Sequence, residues 1–197
     1  MPLSTKHMTR SSSEIPKIKE LLYSLFPENE LLPFWFLLCR AKNKDIDFLA
    51  LYDGDIFVGF TYLVTNDTLT FVLYLAIDGQ IQSKGYGSKA LDAIKALRPK
   101  NRIILNIEAV ESAASNYEQR KKRKAFYEKN GFKNASMALL DKKERYEVLI
   151  NRGDSTVNEY QQVYRKLTGP LLYWLFKPNL VRNRLLRSKR RNQTHTD

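Results

Sequence analysis

The segment that most constrains the fold is Gly85-Tyr86-Gly87, because of what stands on either side of it. Before it, Leu69 to Ile77 is a nearly unbroken apolar run, too uniformly hydrophobic for a strand with one face in water. It therefore reads as a central strand. After it, Ala90, Leu91, Ile94 and Leu97 recur at helical spacing, and Pro99 ends the pattern. A glycine turn between a buried strand and a helix lets the backbone approach a ligand closely. The unpaired N–H groups and dipole at the helix start favour phosphate oxygens there. The plainer alternative is a strand-to-helix turn that binds nothing.

The flanking segments give this turn a context. Phe48 to Leu51, Asp53-Gly54-Asp55 and Ile56 to Val64 read as a hairpin, and Asn66-Asp67-Thr68 turns the chain into the central strand. The sheet therefore starts antiparallel. A strand from Arg102 to Val110 after the helix implies a parallel crossover, so the sheet is mixed. Upstream, Ser13 is placed to cap a helix carrying Ile18, Leu21, Leu22 and Leu25, with Pro27 as its stop. Pro33 opens an aromatic helix, Phe34-Trp35-Phe36-Leu37-Leu38, which must be buried or line a pocket. Downstream come a basic helix from about Gln119 to Asn130 closed by Gly131, and short strands at Ser136 to Leu140 and Arg145 to Ile150. A last helix follows, capped by Ser155 and ending near Leu167, before Gly169-Pro170. The expected fold class is α/β, a mixed, mainly antiparallel sheet flanked by helices with a βαβ crossover at the glycine loop.

Two phosphate-binding readings compete for the loop. Gly85-Tyr86-Gly87-Ser88-Lys89-Ala90 satisfies the dinucleotide pattern GxGxx[GA], and Glu108 stands roughly 20 residues on, where a ribose-binding acid would be. The surroundings reject it. A dinucleotide fold begins with a parallel strand leading straight into the glycines, whereas here a hairpin and a third strand come first and seven residues separate Ile77 from Gly85.

The same residues resemble motif A of the GNAT superfamily of acyl-CoA N-acyltransferases: Gln82-Ser83-Lys84-Gly85-Tyr86-Gly87 matches its (R/Q)xxGx(G/A) pattern in full. Ala125-Phe126-Tyr127-Glu128-Lys129-Asn130-Gly131-Phe132 is similar to the family's motif B, YEKxGF, and Asn116 to Arg123 resembles a string of uncharacterised bacterial members. The likeness covers about Ile15 to Ile150. It departs where the family commonly has Asn seven residues before the motif B tyrosine; Arg120 stands there.

The resemblance implies transfer of acetyl from acetyl-CoA to a primary amine by direct attack in a ternary complex. Backbone amides of Gln82, Ser83, Lys84, Gly85, Tyr86, Gly87 and Ser88 would hold the pyrophosphate. The edge of Leu75, Ala76 and Ile77 would pair with pantetheine and offer an N–H to the thioester oxygen. Tyr127 would be the general acid; without the resemblance it would read as a core aromatic beside Phe126. For the base, alternation on the strand puts Ile104, Asn106 and Glu108 on one face and makes Glu108 the candidate, with Glu111 the weaker one. Glu108 is equally placed to be a structural partner for Arg120 or Lys124. Phe34-Trp35-Phe36 with Glu28 and Glu30 lie where the family forms its acceptor wall, and the acceptor's identity stays open.

Composition limits the rest. The chain has 197 residues, 43% of them hydrophobic, which excludes wholesale disorder. One cysteine, Cys39, and two histidines, His7 and His195, leave no disulfide framework and no multi-cysteine or His-rich metal site. No metal is expected, and a reducing cytoplasm fits best. Cys39 reads as buried packing with no role. Met1 to Ser13 lacks the apolar core of a secretory signal, and no apolar run approaches the roughly 20 residues that span a bilayer.

The formal charge of +12 is concentrated. Nine Lys or Arg and one acid lie between Arg165 and Asp197, and Arg120 to Lys124 are all basic, so the remainder is near neutral. The internal run reads either as a solvated face or as a binder of CoA phosphates or an acidic acceptor. The expected division is an N-acetyltransferase domain at 1–167 and a basic extension at 168–197. In the extension, Leu171 to Phe176 followed by Arg182, Arg184, Arg187, Lys189, Arg190 and Arg191 has the makings of an interfacial helix for anionic membrane or nucleic acid, or a frayed end. A non-catalytic CoA-binding body with such a tail is the competing function, and a homodimer is a further possible assembly.

Overall fold

A computed structural model describes residues 2–81, 85–141, 144–174 and 177–182. The chain forms two compact units, Met1–Asn101 and Arg102–Asp197.

In the first unit, β1 (Ser4–His7), β2 (Ile46–Asp53), β3 (Ile56–Asn66) and β4 (Leu69–Ile77) pair in sequence order, every pair antiparallel. The hairpin turns at Gly54-Asp55, where Asp53 faces Ile56 and Gly54 has φ +60°. Strand β1 was not foreseen, because Ser-Thr-Lys-His is exposed throughout and carries no apolar side chain to signal a strand. Helices α1 (Ile15–Leu25), α2 (Phe34–Arg40) and α3 (Tyr86–Leu97) complete the unit. Ile18, Leu21 and Leu22 of α1 are buried, as the spacing requires. Its cap differs from expectation: Glu14, not Ser13, is the N-cap residue, and its carboxylate accepts from the Tyr52 hydroxyl and from Lys6.

Phe48 centres an aromatic core, with rings of Phe34 and Phe60 each 6.0 Å away and Tyr62 at 5.2 Å. The Tyr62 hydroxyl donates to the Leu37 carbonyl at 3.1 Å, tying α2 to the sheet. Tyr74 pins the link between α1 and α2, donating to Glu30 O at 2.7 Å and accepting the Leu32 N–H at 2.9 Å. The aromatic helix is only half as buried as expected. Phe34 and Leu37 are inside, whereas Trp35 is 68% exposed and Cys39 is also exposed rather than packed. With seven residues, α2 is too short to cover more than one face.

In the second unit the strand order is β5 (Arg102–Glu108), β7 (Glu144–Ile150), β6 (Lys133–Asp141), β8 (Asn179–Arg182), again antiparallel. A register shift between Asn134 and Ala138 bends β6, with Ser136 at φ +58°. Helix α4 (Tyr117–Lys129) ends at Gly131, whose φ of +86° and N–H to Glu128 O close it as the sequence predicts. Helix α5 (Val157–Tyr173) is capped by Thr156 rather than Ser155, in a capping box with Glu159. Gly169, at φ +79° and ψ +163°, bends α5 where a break was expected, but the helix resumes to Tyr173. Across the bend the Arg165 guanidinium sits 5.0 Å from the centre of the Tyr173 ring. Residues 179–182 then pair with β6 as a strand, so the described part of the extension is not one interfacial helix. Arg184, Arg187, Lys189, Arg190 and Arg191 lie outside the described residues. Among the described residues no helix is long and apolar enough to cross a membrane.

Candidate active site

The donor-side candidates belong to the first unit. Leu75, Ala76 and Ile77 close β4, with Ala76 buried and its neighbours half-buried. Opposite Ile77 in the register is Gly59, and a Cβ there would fall 2.0 Å from the Ala76 carbonyl oxygen. Only glycine lets β3 approach β4 so closely, and sequence reading gave Gly59 no role. Further up, the register skips Leu73, which puts an irregularity in β4 just before this segment.

Beyond β4 the chain is tied by Asp78. Its Oδ1 accepts the Gln80 N–H at 3.0 Å and its Oδ2 meets Lys17 of α1 at 3.0 Å. The Gln80 N–H, against the opposing effect of burial and with the help of Lys17, holds the Asp78 carboxyl below its ordinary value. Gln82, Ser83 and Lys84 lie outside the described residues. Gly85 follows as N-cap of α3 at φ +74°, a left-handed conformation costly for any other residue. Among the described residues no side chain caps this helix, no acid stands in its first turn, and none comes within 4 Å of where a Cβ would be at Gly85. An uncapped helix start behind a glycine, open on that side, fits a phosphate-bearing ligand. Tyr86 is buried, whereas Gly87 and Ser88 are half-buried.

The proton-handling candidates belong to the second unit. Tyr127, on α4, is half-buried, its ring 5.1 Å from Phe126 and 5.7 Å from Phe132. Among the described residues no hydrogen bond holds its hydroxyl. Burial raises its pKa above the ordinary value of 10.0, with the Arg123 charge acting the other way, so the phenol stays protonated at neutral pH. Glu108, at the end of β5, is buried and fully engaged. Oε1 meets Arg120 Nη2 at 2.9 Å, Oε2 meets Arg123 Nη1 at 2.7 Å, and Asn116 Nδ2 approaches both oxygens. Glu111 is exposed.

The basic run of α4 is divided: its inward members pair with carboxylates, Arg120 with Glu108 as the sequence allowed, and the others are exposed. Arg120 is buried, donating also to Asn116 Oδ1 at 2.6 Å and to the Ala109 carbonyl at 3.0 Å, and its Nη2 lies 3.4 Å from Glu144. Lys124 meets Glu147 of β7 at 2.8 Å. Three of the five cations thus point at carboxylates of the unit's own sheet; Lys121 and Lys122 are exposed. Where the family commonly has Asn, Arg120 is a structural cation here.

Residues 44–134 match the family model described as an acetyltransferase (GNAT) domain. Solved structures share the fold. A Bacteroides thetaiotaomicron protein assigned to the GNAT acetyltransferases superposes with a TM-score of 0.65 at 20% identity, covering 85% of this chain and 97% of its own. An aminoglycoside 6'-N-acetyltransferase from Enterococcus faecium gives 0.55 at 17%, covering 78% and 100%. A Bacillus subtilis acetyltransferase solved with CoA gives 0.51 at 14%, covering 76% and 96%. No curated protein matches the sequence.

Proposed function

We propose that this chain, a GNAT-superfamily protein by the domain it carries, transfers an acetyl group from acetyl-CoA to a primary amine without a covalent enzyme intermediate. The observation that carries the reading is the glycine-headed, uncapped start of α3, behind a strand end held close to its neighbour by Gly59. Amides from Gly85 to Ser88 receive the pyrophosphate, and the backbone of Leu75, Ala76 and Ile77 pairs with pantetheine and polarises the thioester carbonyl. The neutral amine attacks the carbonyl carbon. A C–N bond forms, the C–S bond breaks, and Tyr127 gives its proton to the departing thiolate. A phenol raised above its ordinary 10.0 is a weak acid, but it is always loaded at neutral pH.

The proton leaving the amine needs a different acceptor. To take it, Glu108 would have to give up a guanidinium, since both its oxygens are occupied. That pairing supports a water relay as the base and Glu108 as an anchor of α4. The acceptor class beyond a primary amine stays open.

The test is acetyl transfer from acetyl-CoA to a panel of amines, followed as thiol release. Tyr127→Phe lowers kcat by about 100-fold or more while CoA affinity holds within about twofold. An unchanged rate removes Tyr127 from the mechanism.

A specific feature also supports a second, separate contact. Trp174, 87% exposed at the end of α5, precedes a strongly basic stretch, a combination suited to an anionic surface. Removing residues 183–197 abolishes binding to anionic vesicles or DNA on this reading, and retained binding assigns it to the body. A cut after Leu167 would also remove β8 from β6 and is unsuited to the purpose.

A further inference from the structure

Asp53 ends β2 at the hairpin turn, where sequence gives it nothing to do beyond turning the chain. Its carboxylate instead reaches α3. Oδ2 accepts the Tyr86 hydroxyl at 3.0 Å and lies 3.5 Å from Lys89 Nζ, and that ammonium sits 4.9 Å from the centre of the Tyr86 ring. The ring is locked in a buried cluster with Leu3, Leu51, Val58 and Ala90, so it cannot swing out to make the bond elsewhere. Tyr86 and Lys89 are the first and fourth residues of α3, immediately after Gly85. One carboxylate from a distant turn therefore grips the first turn of a helix that no side chain caps among the described residues.

The charges reinforce this reading. The Tyr86 hydroxyl, with burial opposing and Lys89 assisting, holds the Asp53 carboxyl below its ordinary value, so it is ionised at neutral pH. Lys89, the cation of the first turn, is matched by that carboxylate. What the helix start has left to offer an anion is the direction of its backbone N–H groups, and an amide site works only while those groups point at the ligand.

We propose that Asp53 is a positioning residue for the acyl donor: through the Tyr86 hydroxyl and Lys89 it fixes the first turn of α3, so that the amides of Tyr86, Gly87 and Ser88 keep the orientation that receives the CoA pyrophosphate. This rests on the reading that α3 receives CoA. Losing the grip lowers the fraction of molecules with a competent turn and raises the apparent Kd by that factor.

Calorimetric titration of the full chain with CoA tests it. Asp53→Ala and Tyr86→Phe each weaken CoA binding by about five- to tenfold, because each removes the same bond to a charged acceptor. The double variant is no weaker than Asp53→Ala alone. Asp53→Asn, which keeps an oxygen for the Tyr86 hydroxyl but gives up the charge that meets Lys89, falls between the parent and Asp53→Ala. Ile94→Val, trimming the buried face of the same helix two turns on, lowers Tm without moving CoA affinity, which separates positioning from general loosening. Parent-like binding by Asp53→Ala, additive losses in the double variant, or equal weakening by Ile94→Val overturns the proposal. A parent chain that binds no CoA overturns the donor reading, and the proposal with it; parent binding with an indifferent Asp53 overturns the proposal alone.

Discussion

Helices α3 and α4 carry the two motifs, are nearly equal in length, and are held in opposite ways. Helix α3 buries Tyr86, Ala90, Leu91 and Ile94, a continuous apolar face, and its contacts with Asp53 lie at its first turn. Helix α4 has one residue fully inside, and it is Arg120. Its attachment runs through Arg120 and Arg123 to Glu108, Arg120 to Glu144, and Lys124 to Glu147. Apolar burial is non-directional and indifferent to pH, whereas a buried ion pair demands geometry and fails badly when one partner is lost. On the proposed reading, the helix that would offer backbone amides rests on packing, and the helix that would offer Tyr127 as an acid rests on charge.

The comparison breaks first at Glu108. Glu108→Ala takes from buried Arg120 its nearest carboxylate and costs about 3 kcal/mol by denaturant unfolding, a loss comparable to the roughly 2–5 kcal/mol of Leu91→Ala on α3. The two differ in kind: the first leaves a buried guanidinium without its carboxylate, the second leaves an apolar cavity. Glu108→Gln also separates anchor from base. As an anchor it lowers Tm and leaves the shape of the pH–rate profile unchanged; loss of the acid limb would return Glu108 to the base role.

A smaller effect is expected on acidification. Burial alone would raise the Glu147 carboxyl, but hydrogen bonds from Lys124 and Asn134 and the Lys124 charge outweigh it and leave it below its ordinary value of 4.5. A depressed folded pKa means this stabilisation is complete above about 4.5 and is lost as pH falls through the lowered value. Glu147→Gln therefore flattens stability below about 4.5, while Leu91→Ala shifts the curve without changing its slope. The smallest effect is at the exposed end of the run: Lys121→Ala, which removes an exposed pair with Glu118, changes stability by less than about 0.5 kcal/mol. A larger loss there would mean that the whole run, not its inward members, attaches α4.

This contrast also marks what the sequence made legible. The hairpin, the central strand and α3 follow from apolar period and turn residues, which are local signals. Strands β1 and β8 do not, because their side chains are largely exposed and give no apolar alternation to read. The basic run of α4 was legible only in part: Glu108 was foreseen as a partner for Arg120, but nothing in Arg-Lys-Lys-Arg-Lys tells that Arg123 shares it or that Lys124 meets Glu147 of β7. The cap at Thr156 was readable, since Glu159 stands three residues on. Gly59 and Asp53 were not, because their partners, Ala76 and Tyr86, are distant in the chain.

The most direct test of the account is thermal unfolding of the full chain with and without acetyl-CoA. Ligand at roughly a hundred times its Kd adds about 2.7 kcal/mol to stability. At roughly 2–4 °C per kcal/mol for a chain of this size, Tm rises by about 5–10 °C. No rise at millimolar acetyl-CoA would contradict the acyl-donor reading at its base.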